Sequence, residues 1–301
     1  MDEEIKNKIY ECTQKRCIAY FEIKSGDGLR KHFKVILDDK SEYLCKLIQM
    51  SDERIQVYKR VANVGISCFQ KTYMICLLKN DTYLLLVEWN SGKLIREYLS
   101  ESREYDVLLK IIGNAAREIR RVHSEYMILQ KVEISQHDVE KLFEKNRDLL
   151  TSSSFDMLKK YVLENYRCLN GRPQTIIHGD LHIHNILETS VGMMFIDIDD
   201  CGYGDPYMDL IYASNLIKTK SENRLYYEFL MKYFDDHIPE EFWVIVNIYS
   251  IYKALHIMRC EKKLTSNNKP IYSLDNFICQ HKMMTSHEPL WFEEMTKEVI
   301  C

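Results

Sequence analysis

The chain has 301 residues, of which 46% are hydrophobic and 29% charged, a balance that excludes a long disordered polymer. With 10 glycines and 5 prolines it is neither collagenous nor rich in the tight turns of an all-β protein. A net charge of −4 excludes a generally basic nucleic-acid binder. The longest apolar runs, 83–87 and 242–246, fall far short of the roughly 20 residues that span a bilayer, so no membrane association is expected.

The ten cysteines are scattered and none forms a Cys-x-x-Cys pair. The chain opens Met-Asp-Glu-Glu-Ile-Lys, without a basic start and an apolar stretch, so no signal peptide is expected. Together these features read as reduced thiols in a cytoplasmic protein.

In chain order, residues 3–16 have the pattern of a short amphipathic helix. Period-2 runs predict strands over 17–23, 32–37 and 42–48. Ser25-Gly26-Asp27-Gly28 and Asp38-Asp39-Lys40 stand between them as turns. Ser51 opens a helix with Ile55, Tyr58, Val61 and Ala62 on one face and Gly65 as its stop. Two further strands, 72–78 and 82–88, flank Lys79-Asn80-Asp81. After Asn90-Ser91-Gly92 the texture turns helical over 93–100, 105–124, 137–149 and 153–168, with Ser152 or Ser153 as an N-cap. Short β-like runs return at 175–177, 186–188 and 193–198. Helices then resume from Tyr207 to the end, around a loop near 266–270.

This is an α+β plan of two lobes: an antiparallel sheet lobe with one helix (1–89), then a larger, mainly helical lobe (90–301). The charge divides unevenly. Residues 1–92 hold 15 basic and 13 acidic side chains, and residues 93–301 hold 26 and 32.

The chemistry concentrates in Ile177-His178-Gly179-Asp180-Leu181-His182-Ile183-His184-Asn185-Ile186-Leu187 and Phe195-Ile196-Asp197-Ile198-Asp199-Asp200. Three histidines invite a zinc reading, but they lack zinc spacing and no Cys/His run flanks them. Asp180, Asn185 and Asp197 form a better set. Phosphoryl transfer needs a carboxylate on the attacking hydroxyl, and an amide oxygen with a second carboxylate to hold Mg²⁺. The protein-kinase catalytic loop has the same Asp-to-Asn spacing.

His-Gly-Asp-Leu-His-x-x-Asn-Ile-Leu, followed by Phe-Ile-Asp-x-Asp-Asp-x-Gly-x-Gly-Asp-Pro-x-x-Asp-Leu, resembles the aminoglycoside phosphotransferase and choline kinase superfamily over residues 178–210. The resemblance implies a bilobal protein-kinase-like fold, with Asp180 as catalytic base and Asn185 and Asp197 as Mg²⁺ ligands. Asp197-Ile198-Asp199 stands where protein kinases carry Asp-Phe-Gly, and Ile183-His184 replaces the family's usual Pro-Gly. His178 and His182 are expected to brace the loop. Asp205 and Asp209 are read as acids at a helix N-terminus.

In the nucleotide lobe Lys46 is the expected phosphate-binding strand lysine. Glu53, in the first turn of the following helix, is either its partner or a dipole partner of the helix. Ser25, Gly26 and Gly28 stand where a phosphate-covering loop belongs. Glu88 and Trp89, by position, resemble a hinge whose backbone would bind a purine.

The expected activity is ATP- or GTP-dependent transfer of a phosphoryl group to a small-molecule hydroxyl, without an obligate protein partner. A metabolite or protein hydroxyl is the alternative acceptor. A non-catalytic nucleotide-binding regulator is disfavoured because Lys46, Asp180, Asn185 and Asp197 are all present. The acidic second lobe suggests a cationic acceptor, an amino sugar before choline. Its pocket would draw on Asp199, Asp200, Asp235, Asp236, Glu240, Glu241 and Glu261. Tyr226, Tyr227, Trp243, Tyr249 and Tyr252 are either stacking surfaces or core.

Overall fold

A computed structural model describes the chain apart from residues 2, 25–30, 80, 100–104, 129, 215–219, 265–286, 290, 293–294 and 297–301. In chain order the elements are α1 (Glu3–Thr13), β1 (Cys17–Lys24), β2 (Lys31–Leu37), β3 (Glu42–Gln49), α2 (Asp52–Val64), β4 (Thr72–Leu77), β5 (Thr82–Glu88), β6 (Lys93–Leu94), α3 (Ile95–Leu99), α4 (Tyr105–Glu125), α5 (Gln136–Lys145) and α6 (Ser152–Asn165). They continue with β7 (Thr175–Ile177), β8 (Ile186–Thr189), β9 (Gly192–Phe195), β10 (Gly202–Gly204), α7 (Tyr207–Ser214), α8 (Lys220–Tyr233) and α9 (Phe242–Leu264). No helix among the described residues is long and apolar enough to cross a membrane.

Two compact units result. One comprises Met1–Glu101 with His184–Gly202, the other Ser102–Ile183 with Tyr203–Cys301. The division differs from a boundary at 89/90. Lys93 and Leu94, expected to open a helix, instead pair as a strand with Glu188 and Leu187 of β8, so residues 90–101 stay with the sheet. Phe69 bridges to Phe195, which brings the β8–β9 hairpin into the same unit.

The first unit is built on a five-stranded sheet in the order β1-β2-β3-β5-β4, every neighbouring pair antiparallel. Alternation places Phe33, Val35 and Leu37 of β2 on one face with Cys45, Leu84 and Leu86, and Ile5 and Ile9 of α1 cover that face. Helix α2 starts where Ser51 Oγ accepts the Arg54 N–H at 3.3 Å, and it stops at Gly65, whose φ of 71° suits a residue without Cβ. Its Ile55, Tyr58 and Val61 are buried.

In the second unit α4 presents Leu108, Ile111, Ile112, Ala115, Ala116, Ile119 and Val122 along one buried stripe. The N-cap of α6 is Thr151 rather than Ser152 or Ser153, since Thr151 Oγ1 accepts the Ser154 N–H. Tyr207, Phe234, Phe242 and Trp243 pack edge to face, and Tyr226 and Tyr227 meet Trp291 and Phe292. Tyr226 and Trp243 are therefore core, and the Tyr226 hydroxyl donates to the Leu210 carbonyl at 2.9 Å. The loop expected near 266–270 lies outside the described residues.

Leu86, fully buried at the centre of the sheet, sets a stability test. Leu86→Ala is expected to destabilise the chain by about 2–5 kcal/mol. Ile18→Ala, at a position 60% exposed on β1, should cost under about 0.5 kcal/mol. Urea unfolding midpoints of the two variants check the contrast.

Candidate active site

In the sheet unit the central feature is Lys46 on β3. Its pairing with Leu85 of β5 and His32 of β2 puts it mid-sheet, and its side chain is only 1% exposed. A charge so buried needs partners. The ammonium lies 2.5 Å from Asp197 and 2.9 Å from Asp199. Burial alone would push the Lys46 pKa down. The charges of Asp199 and Asp197, with the hydrogen bond to Asp197, outweigh it and hold the pKa above the ordinary lysine value.

This corrects two sequence expectations. Glu53 is not the partner of Lys46: it is exposed in the first turn of α2, where it complements the helix dipole. Asp199 is not part of an acceptor-pocket wall, because its carboxylate is buried against Lys46. Helix α2 contributes Arg54 instead, whose guanidinium donates to the Asp199 carbonyl at 3.0 Å and stands 3.6 Å from Asp200.

Asn185 and Asp197 sit at one end of the β8–β9 hairpin. The register pairs Ile186 with Phe195, and the Ile196 N–H donates to the Asn185 carbonyl at 2.9 Å. The Asn185 side chain is buried, and Asp197 takes a left-handed φ of 61°. An amide oxygen and a carboxylate are hard donors of the kind Mg²⁺ takes, so the pair fits that ion.

Gln70, which the sequence reading missed, ties this end to the last strand. It is buried; its amide donates to the Glu88 carbonyl at 2.8 Å and its oxygen accepts the Asp197 N–H at 3.3 Å. The Glu88 N–H in turn donates to the Lys71 carbonyl. The Glu88 N–H is thus engaged within the fold, while its carbonyl, which has two lone pairs, uses one of them on Gln70. Trp89 follows, its ring covered by the Lys34 ammonium at 4.5 Å. Ser25, Gly26 and Gly28 lie outside the described residues.

In the helical unit the loop after β7 carries Asp180. Asp209 of α7, fully buried, accepts the backbone N–H groups of His178 at 2.7 Å and Gly179 at 2.8 Å. His123 of α4 adds its Nε2 to Asp209 at 3.1 Å and its Nδ1 to the Tyr233 hydroxyl at 2.8 Å. Asp209 is structural, as expected, but as the clamp of the loop rather than as a dipole partner. Asp205 is likewise structural: it pairs with Arg172, accepts the Tyr249 hydroxyl at 2.9 Å and accepts the Tyr207 N–H at the start of α7. His178 braces the loop by accepting the Asp180 N–H on Nδ1 at 3.2 Å. Ile183 fills a buried position, and His184 meets Arg96 at 3.0 Å in the sheet unit, so the departure from Pro-Gly is anchored on both sides.

Two bases flank the Asp180 carboxylate: His182 Nε2 at 3.3 Å and Lys253 Nζ of α9 at 3.9 Å. Burial raises the Asp180 pKa. The hydrogen bond from His182, then the charges of His182, Lys253 and His178, more than offset this and bring it below the ordinary aspartate value. Lys253 was not found from sequence, since its helix lies about seventy residues downstream and no motif marks it.

Of the remaining acids, two are paired on the surface. Asp235 pairs with Arg120, and Asp236 with Lys232 at 3.1 Å, in the turn after α8. Glu240 and Glu241 are exposed just before α9. The side chain of Glu261 lies outside the described residues.

A family model described as "APH: Phosphotransferase enzyme family" matches residues 32–242. No curated protein matches the chain. Among solved structures it is similar to a gentamicin complex of APH(2")-IIa, with 14% identity and a TM-score of 0.60 over 87% of this chain and 91% of that one. It is also similar to a fructosamine-3-kinase from Haemophilus somnus 129PT (13%, 0.58, 87% and 92%). A third likeness is the amicoumacin kinase hAmiN in complex with AMP-PNP, Ca²⁺ and Ami (14%, 0.58, 98% and 97%).

The partners of Lys46 can be separated by mutation. Asp199→Ala leaves the buried ammonium with a single carboxylate and should cost about 3 kcal/mol of stability. Glu53→Gln should change stability by under about 0.5 kcal/mol. Chemical unfolding of both variants measures this, and equal losses would contradict the pairing.

Proposed function

This chain belongs to the phosphotransferase enzyme family, and from that premise we propose that it transfers the γ-phosphoryl group of ATP to a hydroxyl of a small molecule, with Asp180 as the base. The observation that carries this reading is Asp180 itself: a partly buried carboxylate kept ionised by His182 and Lys253, on a loop that Asp209 clamps through two backbone N–H groups.

ATP as the donor is supported by the ligands named for similar structures, ADP in APH(2")-Ib and AMP-PNP in the amicoumacin kinase. In the proposed reaction Lys46 meets the phosphates, and Asn185 and Asp197 hold a divalent ion, Mg²⁺. Bound there, the ion supplies charge neutralisation on the phosphate oxygens. Asp180 orients the acceptor hydroxyl and takes its proton as the oxygen attacks in line. Positioning and charge carry the rate, since phosphoryl transfer asks for little covalent chemistry from the protein.

Part of the acidic surface expected to attract a cationic amino sugar is matched within the fold. Asp199, Asp200, Asp235 and Asp236 are each matched by a base. Similar structures include complexes with gentamicin and streptomycin, a macrolide phosphotransferase and a choline/ethanolamine kinase family protein, so the fold alone does not select an acceptor.

The decisive experiment is product analysis by mass spectrometry with Mg·ATP and a panel of hydroxyl acceptors. Asp180→Asn should lower turnover by about 10²-fold or more while nucleotide affinity stays near wild type. Asp197→Ala should weaken Mg·ATP binding more than Asn185→Ala, because only the carboxylate carries full charge; equal binding by Asp197→Ala and wild type would remove the metal assignment.

The pH profile gives a further test. A base whose pKa lies below the ordinary value is ionised throughout neutral and mildly acidic solution, so kcat/KM should fall only at low pH. Removing the His182 hydrogen bond raises the Asp180 pKa. His182→Ala should therefore move the acid limb of the profile to higher pH, and an unmoved limb would mean that Asp180 is not the titrating base.

A further inference from the structure

Helix α1 packs on the sheet in a definite register. Its residues Ile5, Ile9 and Cys12 fall at i, i+4 and i+7, so they share one face. Ile5 and Ile9 are buried in the core of the sheet unit, and Met74 of β4 belongs to the same core. Cys76 stands two residues from Met74, on the same side of the strand, and packs against that core. Just beyond β4 the Lys79 ammonium reaches Glu4, at the start of α1, at 3.3 Å. A hydrogen bond between the Cys12 and Cys76 side chains marks a second contact. The two contacts agree in length. From Glu4 to Cys12 the helix advances about 12 Å, and from Lys79 back to Cys76 the chain advances about 10 Å. Helix α1 therefore runs along β4 in the opposite direction, with the two thiols face to face.

Both cysteines are free thiols, Cys12 exposed and Cys76 half-buried, and β4 is an edge strand of the sheet. Lys8, one turn before Cys12, places its charge near both sulfurs. Burial, then the charges of Cys76 and Glu11, outweigh that charge and keep the Cys12 thiol above the ordinary cysteine value. The pair therefore rests protonated. Thiols already in contact need only side-chain rotation to bond, whereas cysteines far apart need the backbone to move. Cys45, Cys68 and Cys201 are buried, and a thiol shut into apolar surroundings is inert.

We propose that Cys12 and Cys76 form a site of reversible oxidation, a disulfide that staples α1 to the edge of the sheet, with a low-molecular-weight disulfide, glutathione disulfide, as the oxidant. One sulfur of the pair, as thiolate, attacks a sulfur of the oxidant; the oxidant's S–S bond breaks and one glutathione leaves. The other sulfur of the pair then attacks the protein-bound sulfur and releases the second glutathione. Each protein thiol gives its proton to water, and each departing glutathione takes one up. The protein pair is oxidised by two electrons, and one glutathione disulfide is reduced to two thiols. The new bond closes a loop from residue 12 to residue 76, and tying so long a span restricts the unfolded chain. The inference is independent of the phosphotransferase reading.

The test treats the full chain with glutathione disulfide, under native conditions and in concentrated urea. Remaining thiols are alkylated and the peptides are mapped without reduction. The expected native product is a peptide containing Cys12 joined to one containing Cys76, a link that dithiothreitol removes. In urea the pairing should spread over other cysteines, because only the fold brings these two together. Cys12→Ser should leave Cys76 unlinked, and Cys76→Ser should leave Cys12 unlinked, each remaining thiol free or carrying one glutathione. The linked chain should unfold at a higher urea midpoint than the reduced chain, and the oxidant should not raise the midpoint of Cys12→Ser. Native treatment that leaves both thiols free, or that puts a glutathione on each without joining them, overturns the inference. So does a link that forms in urea and not in the native chain, or one that leaves the midpoint unchanged or lower.

Discussion

A charge removed from water must be matched, and in each unit of this chain the functional segment is organised around one such charge. In the sheet unit it is the Lys46 ammonium; in the helical unit it is the Asp209 carboxylate. Both come from regular elements, and each draws irregular chain to itself. Lys46 draws in Asp197 and Asp199, which fixes the segment after β9. Asp209 collects the N–H groups of His178 and Gly179, which fixes the segment before Asp180. An unmatched ion in either place would cost several kcal/mol, more than any surface interaction could restore. The loops are therefore precise because the alternative is a stranded charge.

Much of this fold could be read directly from the sequence. Short apolar or alternating runs bounded by turn residues located β1 to β5 almost to the residue, most clearly in β2, whose buried and half-exposed positions alternate and where a one-residue slip would turn the buried face to water. Ser51 and Gly65 marked the ends of α2 through the chemistry of caps. Where reading failed, the cause was an interaction distant in sequence. Lys93 and Leu94 look helical locally and become a strand because β8, more than ninety residues on, offers them partners. Ser152 and Ser153 are good caps by type, yet Thr151 is the residue with extended backbone at the helix start.

The same distinction runs through the site. Asp180, Asn185 and Asp197 could be singled out because short apolar runs and fixed spacing surround them. Their partners could not. Gln70, Arg54, His123 and Lys253 are ordinary residues in ordinary helices or loops, and only the folded chain brings them to the motif. Glu53 failed for the converse reason. A glutamate in the helix after a strand lysine is a sound local expectation, but position along a helix decides which way a side chain faces. Glu53 sits in the first turn and points to solvent. Asp199, two residues from Asp197, supplies the missing negative charge from the other direction.

That replacement has a consequence for how charge is distributed. Counting acids along the chain makes the second lobe look like a trap for cations. Counting them in place gives a different result, because Asp199, Asp200, Asp235 and Asp236 each face a base, while the Asp180 carboxylate is flanked by two. Net charge acts at long range and is screened within about 8 Å at physiological salt. Recognition at a reacting hydroxyl acts at contact distance, where single side chains dominate. For the acceptor the relevant quantity is therefore the local arrangement of charge at Asp180, an ionised carboxylate with the Lys253 ammonium 3.9 Å away, rather than the sum over two hundred residues.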